Sequence, residues 1–581
     1  MTNTRYAASL AVIPYFLALI APALCLLYED FGAASLFKLG LTIVLLGVWH
    51  LSFRNLYQSV AFSLPFFIFL PFEIFFFAVY HEPPTTSVLL SIGNTNFAEA
   101  SDFMKGRVLI LAVVIIATIA IWLQMLSVAR KALWSKVWMF NPTVRLLSLA
   151  VLLVLGFACV GLASGPWFKS RAANSAGLDI LAYQIEMADA RVKSTLSRLK
   201  GVFPFGRLVS VAEYYRDSAT FDFLKEIRNT TKLNASQLDI PAKRQIYVLV
   251  IGESARADHA SHNGYSRPTS PEIAAQRNVI PISNMVSPWT LTALSVPTIV
   301  TGQASPANGA QLKSVISAFR EAGFRTYWLS NQQHEDSIDN FAREADEAIF
   351  MNVSALVMER DGKYDGKMLS PFKNLLSKDE QRQFVVIHLL GSHDAYEKRY
   401  PHEFDLFQPS LKTAPNLDYH NVLNKIAVTN TYDNSMRYTD HVLSELIHIL
   451  DDVHGVSALL YSSDHGETLF DGSCNRSGHG GSSRYEFGVN AFTWVSNEHK
   501  EYWPQKLEYL KARSSAPVTT EAIFTTMLGL AEIKIDKDLP QRNLVGAAFR
   551  PVARNVMGQE MVNWDLATFR GQCSLVTRAD K

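Results

Sequence analysis

Cysteine is scarce in this chain, with four in 581 residues. None falls in a Cys-x-x-Cys pair or in zinc-finger spacing with histidine, which argues against a thiolate metal centre. Cys25 and Cys159 lie inside apolar runs and read as packing residues. Cys474 and Cys573 lie in polar surroundings and could join in one disulfide if that part of the chain is exported. Net charge is equally low, at +1, and no basic cluster carries interleaved aromatics, which argues against a nucleic-acid partner. The first apolar run has no small-residue cleavage site, so a removed signal peptide is not expected. What the chain does have is asymmetry. Nearly all of its long apolar runs precede residue 166, and the remainder is composed like a soluble enzyme. At this length two or more domains are expected.

Five runs approach the roughly 20 apolar residues that a membrane-spanning helix needs. They are Ala7–Tyr28, Leu39–Phe53, Val60–Tyr80, Val108–Val128 and Leu146–Ala163, the second being short and interrupted by Trp49 and His50. The short-loop cations set the orientation. Arg5, Arg54, Arg130, Lys131, Lys136 and Arg145 share one face; Lys38, Lys105 and Arg107 share the other with Glu29, Asp30, Glu82, Glu99 and Asp102. The more basic face is expected in the cytoplasm, so five crossings put everything after Gly165 outside it. The expected organisation is a spanning domain over residues 1–165, an interfacial helical linker over 166–241 and a catalytic domain over 242–581. In the linker, Trp167, Phe203 and Phe205 suit a membrane interface.

After Pro241 strand-like and helix-like runs alternate, which predicts a mostly parallel sheet between helices. Ile246–Ile251, Phe324–Leu329, Gln383–Leu390 and Ser457–Tyr461 read as buried strands, and Gln311–Gly323 and Tyr432–Leu450 as helices. Ser254 is placed to cap a helix beginning at Ala255. Polar residues gather directly after these strands: Glu253, then Ser330-Asn331-Gln332, then Gly391-Ser392-His393-Asp394, then Asp464-His465-Gly466-Glu467, with Gly478-His479-Gly480 a little further on. Ligands of open α/β sheets bind outside the carboxyl ends of the strands. Oxygen and imidazole donors collected there suit zinc or manganese better than a thiolate-seeking metal.

These motifs, in this order, resemble the phosphoethanolamine transferases of Gram-negative bacteria. The carriers are strand-Gly-Glu-Ser at 252–254, GYSRPTSP (Gly264–Pro271), the threonine loop Ser287–Thr298, WLSNQQ (Trp328–Gln333), Gly391-Ser392-His393, SDHGE (Ser463–Glu467) and His479-Gly480. The resemblance extends over the whole chain and is strongest from Tyr247 to Gly480. It implies an N-terminal bundle of five transmembrane helices and an α/β periplasmic domain of the alkaline-phosphatase/sulfatase type, held at the inner membrane. It also implies one or two zinc ions, with Glu253, Thr292, Asp464 and His465 as ligands and Thr292 as nucleophile, Thr290 being the fallback. His393 and His479 match the histidines beside the phosphoryl group. Asn96 and Glu99, in a loop segment similar to a family motif, are implied as headgroup contacts, and Asn331 as a further substrate contact. The implied donor is phosphatidylethanolamine and the implied acceptor a lipopolysaccharide, lipid A or a core sugar. Transfer of phosphoglycerol, or transfer of phosphoethanolamine to a periplasmic glucan, are the alternatives. Two departures stand out: the cysteines that flank the threonine loop in many relatives are Pro288 and Thr298 here, and the lysine that some relatives carry near WLSNQQ is missing. A sulfatase Cys-x-Pro-x-Arg motif is also absent, which argues against a hydrolase.

Overall fold

In the computed structural model the described residues are 2–29, 33–80, 108–134, 141–155, 157, 202–212, 232–304, 313–332, 336–351, 364–414, 417–558 and 560–579. They divide into two compact units, one within residues 1–223 and the other holding residues 232–579.

The first unit is helical, as its apolar runs require. Its helices are α1 (Thr2–Glu29), α2 (Ala33–Leu51), α3 (Leu56–Phe62), α4 (Leu64–Tyr80), α5 (Val108–Trp134) and α6 (Pro142–Leu155). Two of these, α1 and α5, are long and apolar enough to cross a bilayer, and α3 with α4 make a third span if the bent pair counts as one. The bend is 50°. Its cause is Pro65, which has no amide hydrogen and crowds the preceding turn, so the helix breaks at Ser63. Carbonyls near the break find other donors: Trp49 Nε1 gives a hydrogen bond to Ser59 O (3.2 Å) and Trp122 Nε1 to Val60 O (2.9 Å). Of the expected crossings, the second and fifth fall on the shorter apolar helices α2 and α6, and the end of the fifth lies outside the described residues. Most of the expected interfacial linker lies outside them too. Residues 202–212 are described, and there Phe203 and Phe205 are buried with Tyr15, Val60 and Phe67 rather than left at a surface. Arg207 pairs with the buried Glu73 at 2.6 Å.

The second unit is built on a seven-stranded sheet. Its strands are β1 (Gln245–Gly252), β2 (Val279–Pro281), β3 (Arg325–Ser330), β4 (Glu347–Phe350), β5 (Arg382–His388), β6 (Val456–Ser463) and β7 (Ala491–Val495), in the order β2-β7-β6-β1-β5-β3-β4. From β6 to β4 all pairs are parallel, while β7 runs antiparallel to both neighbours. The sheet is therefore mixed, with an antiparallel edge that the expected βαβ alternation does not contain. All eight residues of β1 are buried. Tyr247, Leu249 and Ile251 face one apolar layer, which includes α7 (Thr292–Thr301), and Ile246, Val248 and Val250 face the other, which includes α8 (Lys425–Asp451). Alternation into two layers is what a β-branched run covered on both faces predicts.

No helix starts at Ala255. Ser254 has φ 57° and is followed by a short 3-10 turn over Ala257–His259. A left-handed residue cannot begin a right-handed helix, and its backbone is tied elsewhere: Tyr432 donates its hydroxyl hydrogen to Ser254 O (2.7 Å) and accepts from Arg256 N (2.9 Å). Cys474 and Cys573 are bonded to each other, tying the loop after β6 to the C-terminal hairpin.

Candidate active site

The carboxyl ends of β1, β5 and β6 converge, and the first residue beyond each strand decides what the crevice contains. Glu253 follows β1, and Asp464-His465 follow β6; all three are fully buried. The Gly391 turn after β5 packs directly on Glu253. A Cβ at Gly391 would stand 2.8 Å from Glu253 O, and φ is +53°, so only glycine suits this approach.

Around Glu253 the donors are dense. His465 Nε2 is 3.2 Å from Oε1 and 3.4 Å from Asp464 Oδ2. Thr292 Oγ1 is 3.2 Å from Glu253 Oε2 and 3.4 Å from His465 Nε2. Ser254 Oγ donates to Glu253 Oε1 (3.0 Å), and Gln332 Nε2 donates to Oε2 (3.2 Å). Asp464 Oδ1 accepts from the backbone N–H of Ser254 and His465, at 3.1 and 2.7 Å. Its Oδ2 is buried with no hydrogen-bond partner among the described residues.

The electrostatics follow from this crowding. Burial pushes the Asp464 carboxyl up, and the Glu253 carboxylate beside it pushes the same way. Burial also raises Glu253, but the His465 hydrogen bond and charge, with His393 and His479 beyond, outweigh it and hold the group well below the usual carboxylate range. Burial opposes the charge on His465, and Asp464 and Glu253 together reverse that, holding the imidazole well above its ordinary value. Two buried carboxylates with one orphaned oxygen, facing one imidazole, call for a cation. Ligand atoms on a tetrahedral zinc, bound at about 2.0–2.1 Å, stand about 3.3–3.4 Å apart. The contacts of His465 with Glu253, Asp464 and Thr292, and of Thr292 with Glu253, are of that size, so these donors suit zinc. One oxygen of Glu253 and one nitrogen each of His465 and His479 also lie within 4.8 Å of one another.

Thr292 is the first residue of α7. The first turn of a helix leaves backbone N–H groups without intrahelical acceptors, which favours an anionic oxygen beside the threonine. Thr290 is elsewhere: its hydroxyl donates to Gly481 O at 2.9 Å. His393 pairs with Asp394 (Nδ1 to Oδ1, 2.5 Å), which raises the imidazole well above its ordinary value against the opposing effect of burial. The His479 ring lies 4.3 Å from that of His465 and 5.7 Å from that of His393. Asn331 is buried, and its amide donates to Asp365 Oδ1 at 2.8 Å rather than reaching Glu253. Asn96 and Glu99 lie outside the described residues.

Three residues of the site carry no role in the sequence reading. Gln332 touches Glu253, and its signal was the WLSNQQ segment itself. Glu467 accepts from His479 Nδ1 at 2.9 Å, and it too sits in a quoted motif. Asp365 gathers Asn331 Nδ2 and the backbone N–H of Leu390 and Gly391, so it holds the turn that carries His393. Nothing local to Asp365 announces this.

Comparison with known proteins agrees with this geometry. The sulfatase family model matches residues 245–533. Phosphoethanolamine transferase EptC of Escherichia coli strain K12 is 25% identical over 497 residues, covering 82% of this chain and 80% of that protein. The C-terminal periplasmic domain of Escherichia coli EptC, solved in complex with Zn, is 25% identical with a TM-score of 0.51, covering 58% of this chain and 96% of that one. Lipooligosaccharide phosphoethanolamine transferase A of Neisseria meningitidis, an integral membrane protein, shares the fold over 94% of this chain and 98% of its own, with a TM-score of 0.64 at 20% identity. The strand-end residues so arranged all fall within the stretch that matches the sulfatase family model, and the relatives the chain resembles there include phosphoethanolamine transferases.

Proposed function

We propose that the chain transfers phosphoethanolamine from phosphatidylethanolamine to a lipopolysaccharide acceptor, lipid A or a core sugar, through a covalent intermediate on Thr292. Residues 1–165 would hold it in the inner membrane of a Gram-negative bacterium, residues 166–241 would link, and residues 242–581 would act in the periplasm. The observation that carries this reading is the Thr292 hydroxyl, 3.2 Å from Glu253 and 3.4 Å from His465 at the start of a helix. Relatives named for phosphoethanolamine transfer and one named for lipooligosaccharide support the substrate class. The Cys474–Cys573 bond suits an exported domain.

Glu253, Asp464, His465 and Thr292 would hold zinc. When bound, it would lower the pKa of the threonine hydroxyl and draw charge from a phosphoryl oxygen. Thr292, as alkoxide, forms the new Oγ1–phosphorus bond while the bond to the diacylglycerol oxygen breaks, and that oxygen takes a proton from a site histidine, His479 or His393. The acceptor hydroxyl then returns the proton to the same imidazole as its oxygen bonds phosphorus, and the Thr292 oxygen leaves as alkoxide. Backbone N–H groups at the start of α7 stabilise the phosphoryl oxygens in both steps.

The test is a mass spectrum of the protein purified from cells that contain phosphatidylethanolamine, beside Thr292→Ala. A phosphoethanolamine adduct on the Thr292 peptide, absent from the variant, is expected. Transfer at the normal rate by Thr292→Ala would refute the assignment, and a phosphoglycerol adduct would refute the donor.

A further inference from the structure

We propose that Glu467 is a positioning residue of this reaction. It accepts the Nδ1 proton of His479 and so fixes which ring nitrogen faces the phosphoryl group. The inference rests on the transferase reading and extends it to a residue with no part in the proposed zinc set.

Glu467 is fully buried. Its Oε2 stands 2.9 Å from His479 Nδ1, and Oε1 has no hydrogen-bond partner among the described residues. A carboxylate loses several kcal/mol when it leaves water, so such a group is retained where something nearby needs its charge or its acceptor. The nearby cations are committed elsewhere. Arg256 pairs with Asp258 (2.7 Å) and Asp471 (2.9 Å) and reaches Glu467 only through the backbone carbonyl, at 3.1 Å. Arg476 pairs with Glu486. What faces the Glu467 side chain is His479.

The backbone makes the contact stiff. Glu467 N donates to Tyr485 O (3.2 Å), Gly466 N to Glu486 O (2.7 Å), and Thr468–Leu469 pairs with Ser477–Gly478 in a short antiparallel ladder. That ladder delivers His479 directly over Glu467. A neutral imidazole carries one N–H. Because Nδ1–H is given to Glu467, Nε2 presents its lone pair on the opposite edge of the ring, as a base, or its proton when the ring is charged. A ring nitrogen of His479 is already within 4.8 Å of both Glu253 and His465, the groups that surround the Thr292 oxygen. Without Glu467 the ring could turn over or adopt the other tautomer, and the proton that the leaving and entering oxygens exchange would have no fixed seat.

The experiment is a double-mutant cycle on the full-length protein in detergent: wild type, Glu467→Gln, His479→Ala and the pair, assayed for transfer from phosphatidylethanolamine with melting temperature and zinc content measured alongside. Glutamine keeps the shape but can donate to Nδ1 and hold the wrong tautomer. Glu467→Gln is expected to bind zinc and melt like wild type, to lower kcat about 10–100-fold, the usual cost of losing an orienting partner, and to leave KM nearly unchanged. In the His479→Ala background the same change should have no further effect on rate, because its route to the chemistry is gone. If Glu467→Gln fails to fold, Glu467→Asp takes its place in the cycle, with reduced kcat and the same silence expected. Losses that multiply in the pair, or a Glu467 variant with the wild-type rate, overturn the proposal while leaving the transferase reading intact. A wild-type chain that moves no phosphoethanolamine overturns both.

Discussion

Removing one charge from the buried site should stabilise the metal-free chain and destabilise the zinc-loaded one. The variant is Asp464→Asn. Without metal, at neutral pH and above, Glu253 and Asp464 are two buried carboxylates around one imidazole, with His465 Nε2 at 3.2 and 3.4 Å from their oxygens. At an effective dielectric of about 20, one such contact with an imidazolium is worth about 5 kcal/mol. Withdrawing the second carboxylate from water costs several kcal/mol, and repulsion from Glu253 adds to that cost, so its charge is a net loss. Asparagine removes that loss while its Oδ1 can keep the backbone N–H of Ser254 and His465. The expected gain is about 2–4 kcal/mol in chelator above pH 7, roughly 4–8 °C in melting temperature. The sign with pH follows from the direction of the shift. Asp464 is raised in the folded state, so the stability it lends is present below the ordinary aspartate pKa of about 3.9 and is lost as pH rises through its folded value. The advantage of Asp464→Asn should therefore open with rising pH and close in acid. Excess zinc should invert the order, since wild type keeps all four proposed ligands and gains more from mass action. Differential scanning fluorimetry of the full-length protein, with chelator or zinc at pH 5 and pH 9, reads all four cases. A variant that melts below wild type in chelator at pH 9, or an order unchanged by zinc, would refute the reasoning.

Acid should destabilise the chain through its buried neutral histidines. Burial lowers His262 and His388 to about 4 and His499 to about 3, so the stability they lend is full above the ordinary imidazole value of about 6.5 and is lost as pH falls from there toward 4. His388→Leu should flatten part of that fall in a melting-temperature series and cost little at pH 8, because neither ring nitrogen has a partner among the described residues; an unchanged slope would count against the idea. Replacing Cys474 and Cys573 by serine releases a cross-link of 99 residues and should cost about 2–4 kcal/mol, seen as a lower denaturant midpoint. Equal midpoints for the variant and the oxidised wild type would show that the bond does not restrain the unfolded chain.

The legible parts of this protein are those where burial leaves one choice. Ile246–Ile251 is apolar throughout and Gln383–Leu390 is apolar but for Gln383 and His388, so both read as strands covered on both faces, and they sit side by side as β1 and β5. The edge strands β2 and β4, and β7 beside β2, are three to five residues long and exist because of pairing across the chain, as when Val279–Pro281 meets Phe492–Trp494. No local pattern carries that. The helix expected after Ser254 shows the same competition within a few residues. The capping preference of serine is worth about 1 kcal/mol. Against it stand Tyr432 on Ser254 O and Arg256 N, Asp464 on Ser254 N, and Ser463 on Ala255 N, all from residues far along the chain.

For the same reason the site was legible in the groups gathered at the strand ends and not in their supports. A Glu, an Asp-His and a His, each placed just after a buried strand, have nowhere to go but the crevice at the strand ends, and Glu253, Asp464, His465 and His393 are all found there. What such a group needs beneath it is a hydrogen bond through space. Gln332 under Glu253, Asp365 under the Gly391 turn and Glu467 under His479 lie 79, 26 and 12 residues from the groups they serve. Their residue types are ordinary for exposed loops, and only burial turns each into a statement about chemistry. A buried carboxylate with one partner is costly to keep. Its retention therefore says more about function than the exposed position that the same letter would suggest in the sequence.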